Sequence, residues 1–145
     1  MTVTQRTMRI IVTGTRTWRE VGTVQKAIAA AVRQHFFGYE EVSKEELESV
    51  FGSVTVAHGG AKGADTIAGD FARSNGMKVE VFPADWDAYG NKAGPIRNQE
   101  MVRSDPKADV CLAFLADSNS PGTRSTIRFA EKRGIPVMEI PPLVA

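Results

Sequence analysis

His58-Gly59-Gly60-Ala61-Lys62-Gly63-Ala64-Asp65 follows the short β-type run Val54-Thr55-Val56-Ala57 and precedes a helical pattern, Ala64-Ile67-Ala68-Phe71-Ala72. A strand, a glycine turn and a helix start, in that order, form the physical template of an anion site in an α/β fold. Glycines accept positive φ and let the backbone come close to a ligand. The open N–H groups and the dipole at the helix start then favour a phosphate. The stretch lacks the closing Gly-Lys-Ser/Thr of a Walker A loop and is not a full dinucleotide fingerprint. Its alternative is a tight turn with no ligand. Asp65 either complements the dipole in the first helical turn or aims its carboxylate at a ribose.

Working outward, five short runs are mostly apolar rather than alternating: Arg9–Thr13, Ser53–Ala57, Lys78–Phe82, Asp109–Leu115 and Pro136–Ile140. That pattern predicts strands covered on both faces. Between them, Val21, Val24, Ile28, Val32 and His35 repeat at helical spacing, with Thr17-Trp18-Arg19-Glu20 as the expected capping box. Ser43-Lys44-Glu45-Glu46 is a second box, opening a short helix with Leu47, Val50 and Phe51 inward. Further helices are predicted over Ala64–Ser74, stopped by Asn75-Gly76, over Ile96–Ser104, stopped by Asp105-Pro106, and over Thr123–Lys132, stopped by Gly134. Phe36 to Gly52 reads as an elaboration of the first crossover. Strands alternating with helices imply an α/β domain. Right-handed crossovers make it a Rossmann-like three-layer α/β/α fold with a five-stranded parallel sheet, order 3-2-1-4-5.

The 145 residues are 42% hydrophobic and 24% charged, ordinary values for a globular domain. One domain spanning 1–145 is expected, with 1–7 and 141–145 as loose tails. The net charge of +1 gives no global field to recruit nucleic acid or a membrane, so neither is an expected partner. No apolar stretch approaches transmembrane length, and Met1 to Thr7 lacks the apolar region of a signal peptide. A cytoplasmic location is expected. Cys111, the sole cysteine, lies in Val110-Cys111-Leu112-Ala113-Phe114-Leu115 and reads as a small buried residue rather than a nucleophile. With two distant histidines it makes no metal set. Neither a metal nor another cofactor is expected.

In open parallel sheets, ligands bind beyond the C-terminal strand ends, where the strand order switches. Four loops converge there. The first carries Gly14, Thr15, Arg16, Thr17 and Trp18; the second is the glycine segment. The third runs from Pro83 through Asp85, Trp86, Asp87 and Tyr89 to Gly94-Pro95-Ile96-Arg97-Asn98, and the fourth from Ala116 through Asp117 to Gly122-Thr123. Arg16 and Arg97 are the phosphate candidates, because a guanidinium fork matches phosphate oxygens. Arg97 lies near a helix start, where a cation works against the dipole. Gly122-Thr123 opens the last helix and offers a second anion cradle, or an ordinary start capped by Ser120 or Thr123. Trp86 and Tyr89 either stack on a base or, as aromatic loop residues more often do, pin the loop to the core. His58 reads as a strand-end histidine bonded to backbone, with a catalytic base as the alternative. Asp85, Asp87, Glu100 and Asp117 are carboxylates whose spacing does not choose among them.

Taken in order, Val12-Thr13-Gly14-Thr15-Arg16 with Trp18, His58 to Asp65, Pro83-Ala84-Asp85-Trp86, Gly94 to Met101, and Gly122-Thr123 through Gly134-Ile135-Pro136-Val137 resemble the YspA-like branch of the SLOG superfamily. The resemblance implies a Rossmann-like domain that binds a small nucleotide or nucleotide derivative through Gly14, Thr15, Arg16, His58, Gly59, Gly60, Gly63, Asp65, Asp85, Trp86, Arg97, Asn98, Gly122 and Thr123. The wider relatives are the Lonely Guy phosphoribohydrolases, which cleave the base–ribose bond, and the DNA-processing protein DprA. Arg97-Asn98-Gln99-Glu100-Met101 looks like the hydrolases' Arg-Lys-x-x-Met stretch, which makes Arg97 the carried-over catalytic candidate. Their Pro-Gly-Gly-x-Gly-Thr-x-x-Glu motif has its nearest counterpart in Pro121-Gly122-Thr123-Arg124-Ser125-Thr126, with Thr126 where the glutamate belongs. A threonine supplies no negative charge to an oxocarbenium-like transition state, so a catalytic role would fall to Asp65 or Asp85. Nucleotide binding is therefore the leading expectation. An N-glycosidase of nucleoside monophosphates comes second, and a DNA-binding or assembly module of the DprA type third. A homodimer or higher homo-oligomer is expected by the same resemblance.

Overall fold

A computed structural model describes residues 6–117 and 119–143. Five strands, β1 (Met8–Gly14), β2 (Val54–His58), β3 (Lys78–Val81), β4 (Val110–Phe114) and β5 (Val137–Ile140), form one sheet in the order β3-β2-β1-β4-β5. Every pairing is parallel, with Ile10 opposite Val56 on one side of β1 and Val110 on the other. The sheet and its order agree with the sequence expectation, and no strand bound differs by more than one residue.

Alternation along β1 divides the core in two. Met8, Ile10 and Val12 face α1 (Val21–Phe37) and α3 (Ala64–Ser74), packing with Val24, Ile28, Val32, Ala68 and Ala72. Ile11 faces the opposite layer with Ala57 and Cys111, where α5 (Ala93–Arg103) contributes Met101 and Val102 and α6 (Pro121–Lys132) contributes Ala130. Cys111 is fully buried there and burial pushes its thiol up to about 12, as a core residue's should be. The two-faced burial predicted for all strands holds for β1 and largely for β2 and β4. The edge strands β3 and β5, each paired with a strand on one side only among the described residues, hold no buried residue.

Two helix starts differ from expectation. Thr17 to Glu20 is no capping box: α1 begins at Val21 with Glu20 at the N-cap and no side-chain cap bond. Trp18 is instead turned inward, edge-on to Phe114 at 5.3 Å between ring centres, and its indole N–H donates to the Glu20 carbonyl at 3.0 Å. The buried ring sets the path of the chain there. The helix expected from Ile96 begins at Ala93, since Pro95 is tolerated within a first turn, which needs no N–H at that point. A short helix, α4 (Trp86–Tyr89), and a 3-10 turn at Gly90–Lys92 lead into it. The Ser43 capping box is present as predicted, with both reciprocal bonds, opening α2 (Lys44–Glu48). Of the expected tails, residues 1–5, 144 and 145 lie outside the described residues. Arg6 bonds the His35 carbonyl and the Leu143 N–H bonds Glu20.

Candidate nucleotide-binding cleft

A cavity of about 400 Å³ opens at the C-terminal edge of the sheet, where the order reverses between β1 and β4. Its walls are Gly14 to Thr17 after β1, Gly59, Ala61 and Asp65 after β2, Arg97 and Asn98 on α5, and Asp117 with Asn119 to Thr123 at the start of α6. Of the residues expected in the site, Gly14, Thr15, Arg16, Gly59, Asp65, Arg97, Asn98, Gly122 and Thr123 meet here. His58, Gly60, Gly63, Asp85 and Trp86 are not among the lining residues.

Close packing brings the loops together. A β-carbon on Gly14 would sit 2.7 Å from Cβ of Ala64, and one on Gly63, whose φ is +85°, would sit 2.6 Å from the Thr15 carbonyl oxygen. These glycines let the start of α3 rest against the end of β1, so their role is in the frame. Thr15 joins the first and fourth loops: its N–H donates to the Phe114 carbonyl, while its hydroxyl accepts the Ala116 N–H and lies 2.8 Å from the Ser120 hydroxyl. Ser120 in turn bonds Asp117 at 3.2 Å.

The glycine segment differs from the phosphate cradle expected of it. Asp65 Oδ2 accepts the N–H groups of Gly59 at 3.0 Å and Ala61 at 3.2 Å, and Nδ1 of His58 accepts the N–H of Gly60 at 2.9 Å. Three successive amides are thus spent inside the loop, which becomes a rigid wall of the cleft. Asp65 is neither aimed at solvent nor free in the first turn of α3. It is 5% exposed, and burial raises its carboxyl to about 6, against the lowering pull of the Ala61 and Gly59 N–H groups and the charges of Arg97 and Arg16. His58 is held below its ordinary value, first by burial and then by the charge of Arg73. It is the strand-end histidine bonded to backbone.

Open donors lie across the cleft. At α6, Ser120 makes no side-chain cap bond, and the N–H groups of Gly122 and Thr123 have no partner among the described residues. Arg16 is exposed and makes no hydrogen bond or ion pair among the described residues. Arg97 is half-buried. Its Nη1 donates to the carbonyls of Gly59 at 2.6 Å and Phe82 at 3.3 Å, and its Nε donates to Asn98 Oδ1 at 2.7 Å. Nη2 has no partner among the described residues, and burial lowers the affinity of the guanidinium for its proton. With α5 beginning at Ala93, Arg97 lies in the second turn, so the dipole argument against a cation there is weaker than the sequence suggested. Asn98 continues the chain of bonds by donating to the Gly122 carbonyl at 3.2 Å.

Thr126 is fully buried, its hydroxyl turned to the Gly122 carbonyl at 3.4 Å, and does not line the cleft. Asp85 caps α4 by accepting the Ala88 N–H. Trp86 and Tyr89 are half-exposed rather than pinned to the core, and Asp85 itself is exposed. Val12, Thr13, Met101 and Asn119 line the cleft without having been expected as site residues; the first three look like core positions, and only the fold shows that they end at a cavity. Among the described residues no cluster of His, Cys, Asp and Glu offers a metal ligand set.

The chain is similar to known proteins in sequence and in fold. The Gene 61 protein of Mycobacterium phage D29 is 42% identical over 135 residues, covering 90% of this chain and 94% of the phage protein. The X-ray structure of TM1055, a structural genomics target, superposes with a TM-score of 0.56 at 19% identity, over 90% of this chain and 72% of that one. DNA processing protein A (DprA) from Streptococcus pneumoniae superposes with a TM-score of 0.60 at 16% identity, over 95% of this chain and 52% of DprA. At those identities the two structures attest the fold alone, and the chain spans about half of DprA. Residues 8–89 match the YspA, cpYpsA-related SLOG family, to which this chain belongs.

Proposed function

We propose that the protein binds a small nucleotide or nucleotide derivative by its phosphate, in the cleft between β1, α5 and α6. The observation that carries this is the meeting on one cavity of Arg16, Arg97 and the start of α6, where Nη2 of Arg97 and the N–H groups of Gly122 and Thr123 have no partner among the described residues. A helix start and two guanidinium groups suit a phosphate dianion. The anion site is then at the start of α6, on the wall facing the glycine segment, where the Gly59, Gly60 and Ala61 amides are already occupied. Calorimetric titration with nucleoside monophosphates, diphosphates and cyclic nucleotides tests this. Saturable binding that weakens in Arg16→Ala supports it, and no binding across that set overturns it.

Base–ribose hydrolysis at the same cleft has less support. The two carboxylates on its walls, Asp65 and Asp117, both already accept backbone N–H groups, and Thr126 faces its own helix. Chromatography of incubated nucleoside monophosphates reads the distinction: intact nucleotide is expected, and released base would establish turnover.

A further inference from the structure

We propose that the base of the bound nucleotide is held outside the cleft, on an aromatic platform made by Trp86 and Tyr89. The favoured ligands are then nucleotides with a large purine base. This rests on the cleft taking the nucleotide's phosphate.

Trp86 and Tyr89 are the first and last residues of α4, three apart, and so share one face of it. They are 52% and 51% exposed. Neither the indole N–H nor the phenol hydroxyl has a hydrogen-bond partner among the described residues. Two large rings half in water contribute little to the core that Trp18, 3% exposed, fills from the other side. The cleft, for its part, has no aromatic side chain among its lining residues. It offers donors for phosphate and hydroxyls but no π face for a base.

The two surfaces adjoin. A β-carbon on Gly94 would sit 3.6 Å from Cη2 of Trp86. Gly94 and Arg97 are three residues apart on α5, on the same face, about 4.5 Å along the axis. Arg97 forms the cleft wall and bonds the carbonyl of Phe82, from which the chain runs directly to α4. A base leaving the cleft past Arg97 therefore meets the indole. The missing side chain at Gly94 keeps that approach low. Recognition there is by stacking, with affinity rising with the area of the ring system and without hydrogen-bond selection of one base.

The test compares AMP, UMP and ribose 5-phosphate on the full chain, by calorimetry and by tryptophan fluorescence. The chain has two tryptophans, and since Trp18 is buried, quenching by a stacked base reports Trp86. AMP is expected to quench and to bind about tenfold or more tightly than ribose 5-phosphate, with UMP between them. Trp86→Ala should bring AMP down to the affinity of ribose 5-phosphate, and Trp86→Phe should restore most of the difference. Equal binding of AMP and ribose 5-phosphate, or an unchanged AMP affinity in Trp86→Ala, overturns the platform and leaves the phosphate cleft standing. Silence from all three compounds overturns both.

Discussion

Arg97 lies directly against Gly59: its Nη1 donates to the Gly59 carbonyl at 2.6 Å, and a β-carbon on Gly59 would sit 2.5 Å from that same nitrogen. Two walls of the cleft therefore meet at a point with no room for a side chain. The atom in the way is the far end of a flexible side chain, so Gly59→Ala should push the guanidinium off its seat rather than disturb the backbone. The expected result is a stability loss no larger than that of Arg97→Ala, since the same bonds are given up, with nucleotide affinity reduced about tenfold or more, in line with the loss of a charged hydrogen bond. Unchanged affinity would mean that the seat of Arg97 is immaterial to the ligand.

The two arginines should behave differently when removed. Arg16 makes no bond within the described protein, so Arg16→Ala should leave stability within about 0.5 kcal/mol while weakening the ligand about tenfold or more. Arg97 bonds two carbonyls and Asn98, so Arg97→Ala should lower both affinity and stability, the latter by about 1–3 kcal/mol. Paired urea melts and AMP titrations separate the two patterns. An Arg16→Ala protein that binds as wild type does would take Arg16 out of the site.

The order of the sheet was legible because it follows from apolar runs alternating with helical periods, and the one plausible handedness of each crossover. Arg97 stood out as a cation near a helix start and Gly122-Thr123 as a glycine-bearing helix start, and the fold brings both to the cleft. What the sequence did not convey was how donors are spent. Asp65 reads identically whether it faces a ribose or folds back onto Gly59 and Ala61, because that choice depends on the turn from Gly59 to Asp65 closing in three dimensions. Trp18 likewise looks like part of a cap until Phe114, 96 positions later in the chain, provides the surface that draws it inward. Long-range packing settles such cases, and no local pattern records it.

Asp65 should leave a mark on stability versus pH. Burial holds its carboxyl at about 6 in the folded chain, against an ordinary 3.8. Between those values the folded state keeps a proton that the unfolded state has released. Its contribution to stability is therefore complete below about pH 4 and is lost as pH rises through about 6. The full difference is on the order of 3 kcal/mol. Asp65→Asn keeps an oxygen to accept the Gly59 and Ala61 N–H groups but removes the titration. Relative to wild type, the variant should gain stability as pH rises from about 4.5 to 7.5. His58, whose proton affinity is lowered by burial, tilts the other way in both proteins, so the difference between them isolates Asp65. Parallel urea melts at the two pH values read it, and a constant difference would place the carboxyl at its ordinary value.

Gly69 and His58 meet on the far side of the glycine loop. Gly69 lies within α3, where alanine ordinarily stabilises by up to about 1 kcal/mol. Here a β-carbon would sit 2.7 Å from Nε2 of His58. That ring is buried and cannot swing away without giving up the Gly60 N–H at Nδ1, and Nε2 itself has no partner among the described residues. Gly69→Ala should therefore destabilise by about 1–3 kcal/mol, the usual cost of overpacking, reversing the sign expected from helix propensity. In a His58→Ala background the ring is gone, and the same substitution should become neutral or stabilising. A coupling of about 1 kcal/mol or more in that double-mutant cycle is the expected measurement. Additive effects would show that α3 and the histidine yield to one another freely, and that His58 does not fix the glycine loop in place.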